Sequence, residues 1–233
     1  MAIKNYLEEP VVVDINESVI KVVSKMLSES KREVVVEEEG NYAGMLYARS
    51  IAKRNISNPE KTKISHYIRK INPLLPGMDV KEVLNYILIN DLRAVPVKVY
   101  KGGEETIKLI TRVGLLKALK DSSVFKEKRA CEVMVVPYFI EPKETISVAK
   151  AMFRDLSISS LPVIENGRVV GMVDELGLME ATIRSQEREF WGEKIPSGEI
   201  AVESFMRKDV HVISEDSLLR EAVEIMIRED QPT

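Results

Sequence analysis

Thr111 and Arg112 are the pair in this sequence best equipped to hold a ligand. A hydroxyl and a guanidinium stand side by side, and both can donate to a phosphate oxygen. They follow the hairpin strand Ile107 to Ile110 and precede an apolar stretch, so they mark the junction of a strand and a helix. At that junction a Thr is equally suited to capping the helix, with a solvated Arg beside it. Asp174 occupies a similar junction after Val169 to Val173, where a carboxylate is an ordinary helix cap or a cation ligand. Catalytic constellations are absent. There is no Gly-x-x-x-x-Gly-Lys phosphate loop, no Gly-x-Gly-x-x-Gly fingerprint and no His-Glu-x-x-His zinc pair. His66 and His211 lie far apart and Cys131 has no partner cysteine, whereas a zinc site needs about four ligands. The sequence therefore predicts no catalytic residues, no metal and no required cofactor. The lone Cys131 reads as a partly buried structural thiol.

The elements that must position these residues recur. Pro10, Val19, Met26, Gly40 and Gly44 match Pro137, Ile146, Phe153, Gly167 and Gly171 at a constant separation of 127 residues. Pro76, Val80 and Pro96 match Pro142, Ile146 and Pro162 at a separation of 66, and Leu219, Ala222 and Met226 match Ile146, Ala149 and Phe153 at 73. Each copy reads as entry strand, amphipathic helix, strand, Gly-containing turn, strand and short helix. Val19, Val22, Val23 and Met26 fall at helical spacing, as do Val80, Val83, Leu84 and Ile87, and Leu219, Ala222, Val223 and Met226. Val34-Val35-Val36, Ala94-Val95-Pro96-Val97 and Leu161-Pro162-Val163-Ile164 are strand-length and rich in β-branched residues. Asn166-Gly167 is a strong type I′ hairpin signal, with Gly40-Asn41 and Gly102-Gly103 as weaker versions. The fold class is α/β (α+β), built of β-α-β-β-α units of about sixty residues, which are small for an independent core. The copies span 1–58, 59–121 and 122–182, a linker helix and loop spans 183–199, and an incomplete fourth copy spans 200–233. The linker is expected to be a charged helix through Ile183, Glu187, Phe190 and Trp191, ending at Gly192 and the Pro196-Ser197-Gly198 loop, with Trp191 covering the core.

Composition narrows the function classes. The chain has 233 residues, 45% of them apolar, and a net charge of −3. No run approaches the roughly 18 apolar residues of a membrane span, and Met1 to Glu9 has no signal-peptide core. A single cysteine suits a reducing cytoplasm. The 30% charged residues and the scarcity of Gln lean toward a thermophile. Lys61, Lys63, His66, Arg69 and Lys70 form one basic series and Lys117, Lys120, Lys126, Lys128 and Arg129 another. Without an aromatic series beside them they read as solvated faces rather than a nucleic-acid footprint.

The units resemble cystathionine β-synthase (CBS) domains, above all through Ile158-Ser159-Ser160-Leu161-Pro162-Val163-Ile164 followed by Asn166-Gly167-Arg168-Val169-Val170-Gly171-Met172-Val173. The resemblance covers nearly the whole chain. It implies two Bateman modules, about 1–121 and from about 122 onward, stacked within the chain or between chains. It also implies an adenosyl ligand, such as AMP, ADP, ATP or S-adenosylmethionine, in a cleft between paired units. The family mark is Gly-x-(Ile/Val)-(Thr/Ser)-x-x-Asp, in which the hydroxyl meets a phosphate and the Asp holds the ribose. Every readable copy departs from it. Tyr47 and Ser50 fill the two slots in the first copy, Thr111 and Gly114 in the second, Asp174 and Gly177 in the third. The resemblance makes Lys31, Arg93, Ser159 and Ser160 cleft-lining residues. It gives Arg49 and Ser50 a phosphate role and Tyr47 a base-stacking role, and suits Asp174 to a ribose. Without a ligand, Tyr47 packs, Arg49 is solvated, and Arg93 and Lys31 are surface charges at strand starts.

The sequence thus predicts a cytoplasmic, non-catalytic regulatory or sensor protein. It binds an adenosyl nucleotide or other anionic small molecule, forms a homodimer through module stacking, and acts on an effector protein. A ligand-free dimerisation scaffold and a nucleic-acid-associated protein are the alternatives. The fourth copy keeps its helix, Leu218 to Ile227, while the strand matching Pro162 would begin past Thr233. A truncated chain, or cover from another chain, is the expectation there.

Overall fold

The computed structural model describes residues 1–190 and 199–230, the side chains of 186–190 excepted. Trp191, Gly192 and the Pro196-Ser197-Gly198 loop lie outside the described residues. The first copy holds β1 (Val12–Asp14), α1 (Val19–Ser28), β2 (Glu33–Glu38), β3 (Asn41–Tyr47) and α2 (Ala48–Ala52). The second holds α3 (Val80–Ile89), β4 (Ala94–Lys101), β5 (Glu104–Thr111) and α4 (Arg112–Leu119), followed by α5 (Ser123–Glu127). The third holds α6 (Ile146–Asp155), β6 (Ser160–Glu165), β7 (Arg168–Asp174) and α7 (Glu175–Phe190), and α8 (Leu219–Arg228) is the helix of the fourth.

The copies share their local devices. Each hairpin is antiparallel, and β2 takes β1 in parallel on its other side. Leu74 and Ile140 repeat that parallel entry as single bridges, to Val97 and Val163. The helix that opens each copy ends on a left-handed residue at the matching position: Ser30 (φ 50°), Asp91 (φ 47°), Ser157 (φ 52°) and Asp230 (φ 51°). None is Gly, so a short polar side chain carries the αL cost at every helix end. The hairpin turns have two consecutive positive φ values, as type I′ geometry requires, at Asn166-Gly167 and Gly102-Gly103. The first turn corrects the sequence reading. It falls on Glu39 (φ 51°) and Gly40 (φ 78°), while Asn41 already opens β3. The ladder pairs Glu38 with Asn41, which closes the turn on Glu39-Gly40, 127 residues before Asn166-Gly167.

Two compact units emerge, and each draws on both halves of the chain. One comprises residues 1–10, 70–135 and 211–233; the other comprises 11–69 and 136–210. The core of the first unit includes Ile3, Val80, Val83, Ile87, Leu92, Val95, Val97 and Ile110. The core of the second is one cluster in which Val22, Met26, Val36, Leu46 and Ile51 of the first copy meet Ile146, Phe153, Val163, Leu178 and Ile183 of the third. A sixty-residue unit buries too little surface alone, and pairing supplies the missing face. No described helix is long and apolar enough to cross a membrane.

Candidate functional site

Three matching positions, Tyr47, Thr111 and Asp174, each end a hairpin and start the helix after it. The pairing register sets them opposite Glu33, Ala94 and Ser160. Over each runs a segment from elsewhere in the same unit. Arg69 exchanges backbone hydrogen bonds with Met45 at 2.9 and 2.7 Å, Glu8 with Leu109 at 2.8 and 2.9 Å, and Arg207 with Met172 at 2.8 and 2.9 Å. The covering residues therefore occupy equivalent places, and all three are charged.

That cover accounts for a glycine at one of the positions where the family mark has Asp. A Cβ at Gly114 would stand 2.8 Å from the Tyr6 carbonyl oxygen, so the backbone of the N-terminal segment occupies the space an Asp side chain needs. Gly177 is less crowded, its Cβ position lying 3.6 Å from the Phe205 carbonyl oxygen.

In the second unit the first and third copies are tied by two largely buried ion pairs. Arg32 Nη2 donates to Asp174 Oδ2 at 2.6 Å, with side-chain exposures of 11% and 14%. Arg49 Nε donates to Glu175 Oε1 at 2.9 Å, and Glu175 is fully buried. The other Asp174 oxygen, Oδ1, accepts the Gly177 N–H at 2.9 Å and so caps α7. Burial pushes the Asp174 carboxyl up, but Arg32, the Gly177 N–H and Arg207 together outweigh it and hold it below the usual carboxylate range. Tyr47 is buried beside Arg49, and burial, reinforced by Glu33, pushes its phenol far above the ordinary value. It packs as expected. Arg49, by contrast, is engaged rather than solvated, because its helix start faces the buried Glu175. Lys31, Ser50, Ser159 and Ser160 are half-buried in the same unit.

The first unit gathers Arg93, Thr111 and Arg112. Thr111 Oγ1 accepts the Gly114 N–H at 2.9 Å, capping α4, and donates to Glu8 Oε1 at 3.2 Å. Lys117 Nζ lies 3.6 Å from the same Glu8 oxygen. Arg112 donates from Nε to the Leu92 carbonyl at 2.8 Å and from Nη2 to Asp91 at 3.4 Å, so it is anchored rather than solvated. Arg93 is 4% exposed and is not the surface charge that a strand start suggests. Its residue follows the buried Leu92 into a β4 whose first four residues are all buried.

Sequence reasoning placed Arg32 in the stretch before the middle strand and Lys117 in a basic series but gave neither a partner, and it singled out neither Glu175 nor Glu8. Arg32 was legible as the copy of Arg93, since both precede the middle strand by one residue. Glu8 was not, because nothing local ties residue 8 to residue 111. Cys131 also departs from expectation: it is exposed, at the place where the first copy has the exposed Lys4. Among the described residues no group of three or more His, Cys, Asp or Glu could hold a metal. Lys61, Lys63, His66, Arg69 and Lys70 are all exposed.

The CBS domain family model matches residues 3–56, 130–184 and 202–231, which are the first, third and fourth copies. Among solved structures, a protein of Methanocaldococcus jannaschii described as a candidate archaeal homolog of g-AMPK superposes with a TM-score of 0.79 at 19% identity. The match covers 99% of this chain and 91% of that one. A conserved protein of Pyrococcus horikoshii superposes with a TM-score of 0.58 at 18% identity, over 99% of this chain and 88% of that one. At such identities the likeness concerns the fold. No curated protein matches the chain.

Proposed function

This chain belongs to the CBS-domain family, whose domains are generally regulatory and non-catalytic, and from that premise we propose that it senses an anionic small molecule of the adenosyl class. The observation that carries this reading is the surrounding of Asp174. At the start of α7, Arg32, Arg207 and a backbone N–H converge on one carboxylate, so the junction between hairpin and last helix is a place where negative charge is stabilised. Thr111 stands at the matching junction of the second copy, where its hydroxyl caps α4 and meets Glu8. A ligand phosphate at that junction, read by the covering segment, biases how the segment sits; a ligand acts only through such a difference in affinity between arrangements.

AMP, ADP, ATP and S-adenosylmethionine are the ligands to test. A ligand present at a hundred times its dissociation constant stabilises the folded state by about 2.7 kcal/mol, a shift that thermal unfolding resolves readily. The expected outcome is a raised melting temperature for at least one of the four. A silent panel together with flat calorimetry removes the ligand.

The scaffold reading has one observation in its favour. Asp174 and Glu175 already neutralise Arg32 and Arg49, so the junction between the first and third copies is complete without a ligand. Sedimentation showing a tight dimer in a protein that ignores every nucleotide supports that reading, and with it the homodimer.

A further inference from the structure

Within the unit of residues 1–10, 70–135 and 211–233, one arrangement occurs twice. The segment from Met1 docks on the start of α3. Val80 N–H donates to the Met1 carbonyl at 2.9 Å, and Ile3 N–H to the Met78 carbonyl at 3.1 Å. The segment from Lys128, 127 residues later, docks on the start of α8 in the same way. Leu219 N–H donates to the Lys128 carbonyl and Ala130 N–H to the Ser217 carbonyl, both at 2.9 Å. Antiparallel bridges between Ala2 and Asp79 and between Arg129 and Leu218 complete the match.

Beyond these contacts the two sides diverge. On the α3 side a hairpin fills the space between entry strand and covering segment. Leu74 takes β4 in parallel, exchanging bonds with Pro96 and Lys98 at 2.8 and 2.9 Å, and Glu8 takes β5 in antiparallel. The corresponding residues on the α8 side are Ile213 and Val135, and among the described residues neither makes a backbone hydrogen bond. Tyr6, Leu7 and Glu8 are half-buried, whereas their counterparts Val133, Met134 and Val135 are exposed, Val135 at 83%. Val80, Val83 and Ile87 are buried, whereas Leu219, Ala222 and Met226 at the same helix positions are only half-buried. Each difference falls where the α3 side has its hairpin.

From this difference we infer that the α8 side is an acceptor for a β-hairpin of a partner polypeptide, which enters with one strand parallel to Ile213 and the other antiparallel to Val135. The inference is independent of any nucleotide. Strand addition of this kind draws affinity from main-chain bonds, and covering the α8 face adds apolar burial. The edge is suited to it. Glu8, Arg69 and Arg207, which already hold hairpins, are charged, and charge is one device that keeps an open edge from pairing. Val133 to Val136 carries no charge. A second copy of this chain has no described hairpin to offer: β2–β3 is held by β1 and Arg69, β4–β5 by Leu74 and Glu8, β6–β7 by Ile140 and Arg207. The occupant is therefore a partner's hairpin, and its strand beside Ile213 is apolar on both faces, as β4 is over its first four residues.

The test adds two synthetic hairpins, residues 91–112 and 157–175 of this sequence, to the 233-residue protein and follows amide hydrogen exchange. In the protein alone the Val135 and Ile213 amides should exchange as in an unstructured chain. At least one hairpin should slow both by about tenfold or more and leave the Glu8 amide unchanged. Val135→Pro removes the N–H that the pairing needs, and Met226→Glu puts a charge on the α8 face. Each should weaken hairpin binding by about tenfold or more. If Val135→Pro does not fold, Met226→Glu is read by the same criterion. Failure of both hairpins to bind, binding without protection of Val135, or unchanged binding by the variants overturns the acceptor. Protection of Val135 in the protein alone, rising with protein concentration, assigns the face to a second copy and overturns the partner hairpin.

Discussion

Asp174 shows how a single residue can be visible in a sequence while its partner is not. Its place before a helix identifies a cap, and the cap forms. The arginine 142 residues away that completes it could not be read from neighbouring positions. The pairing has a pH signature. The folded-state pKa is depressed, so the stabilisation is complete above the unfolded carboxylate value of about 3.9 and is lost as pH falls through the lower folded value. Melting temperatures of the wild type and Asp174→Asn should therefore differ most at neutral pH and converge only in acid below about pH 4. A difference that does not depend on pH would show that Asp174 acts by shape alone. Arg49→Ala is the harsher change, because it strips this guanidinium from the fully buried Glu175. The loss expected from urea unfolding is about 3–5 kcal/mol, the cost of breaking a buried pair from one side. Cys131, exposed in the native fold, should react with a thiol reagent at the rate of an unfolded cysteine.

At the scale of elements, helices and hairpins were legible because their signals are local. A helix face repeats every three to four residues and a type I′ turn needs two residues of positive φ, so α1, α3, α6, α8 and the Asn166-Gly167 turn follow from short windows. The turn at Glu39-Gly40 was displaced by one residue because a glycine specifies that a turn is near but the ladder decides which residue leads it. Gly114 tests a contact between elements. Ala would ordinarily strengthen a helix by about 1 kcal/mol over Gly. Here its Cβ would meet the Tyr6 carbonyl at 2.8 Å, and overpacking of this kind costs about 1–3 kcal/mol, so the clash wins. Gly114→Ala should lower stability and speed hydrogen exchange of the Glu8 amide. A stabilised Gly114→Ala protein would show that the N-terminal segment yields freely.

At the scale of the whole molecule the pairing of copies is what matters. Residues 11–69 share a core with 136–210, so Ile51, Ala52 and Ile56 are covered by residues of the third copy. A fragment of residues 1–121 should therefore self-associate or aggregate in sedimentation, and a stable monomer melting with the full chain would contradict the shared core. The sequence by itself determined the repeat, the helices and hairpins within it, the Asn166-Gly167 and Gly102-Gly103 turns and the family, because each rests on residues within one copy or on the likeness between copies. It also located the junction positions Tyr47, Thr111 and Asp174. Only the tertiary structure decided which copies share a core, that Arg32 and Arg49 are tied to Asp174 and Glu175, and that Glu8 lies on Thr111. The reason is physical. Periodicity records which side of an element is apolar, but not which of several similar apolar faces will meet it. A charge in the sequence likewise carries no record of the distant charge that neutralises it until the backbone brings them within a hydrogen bond.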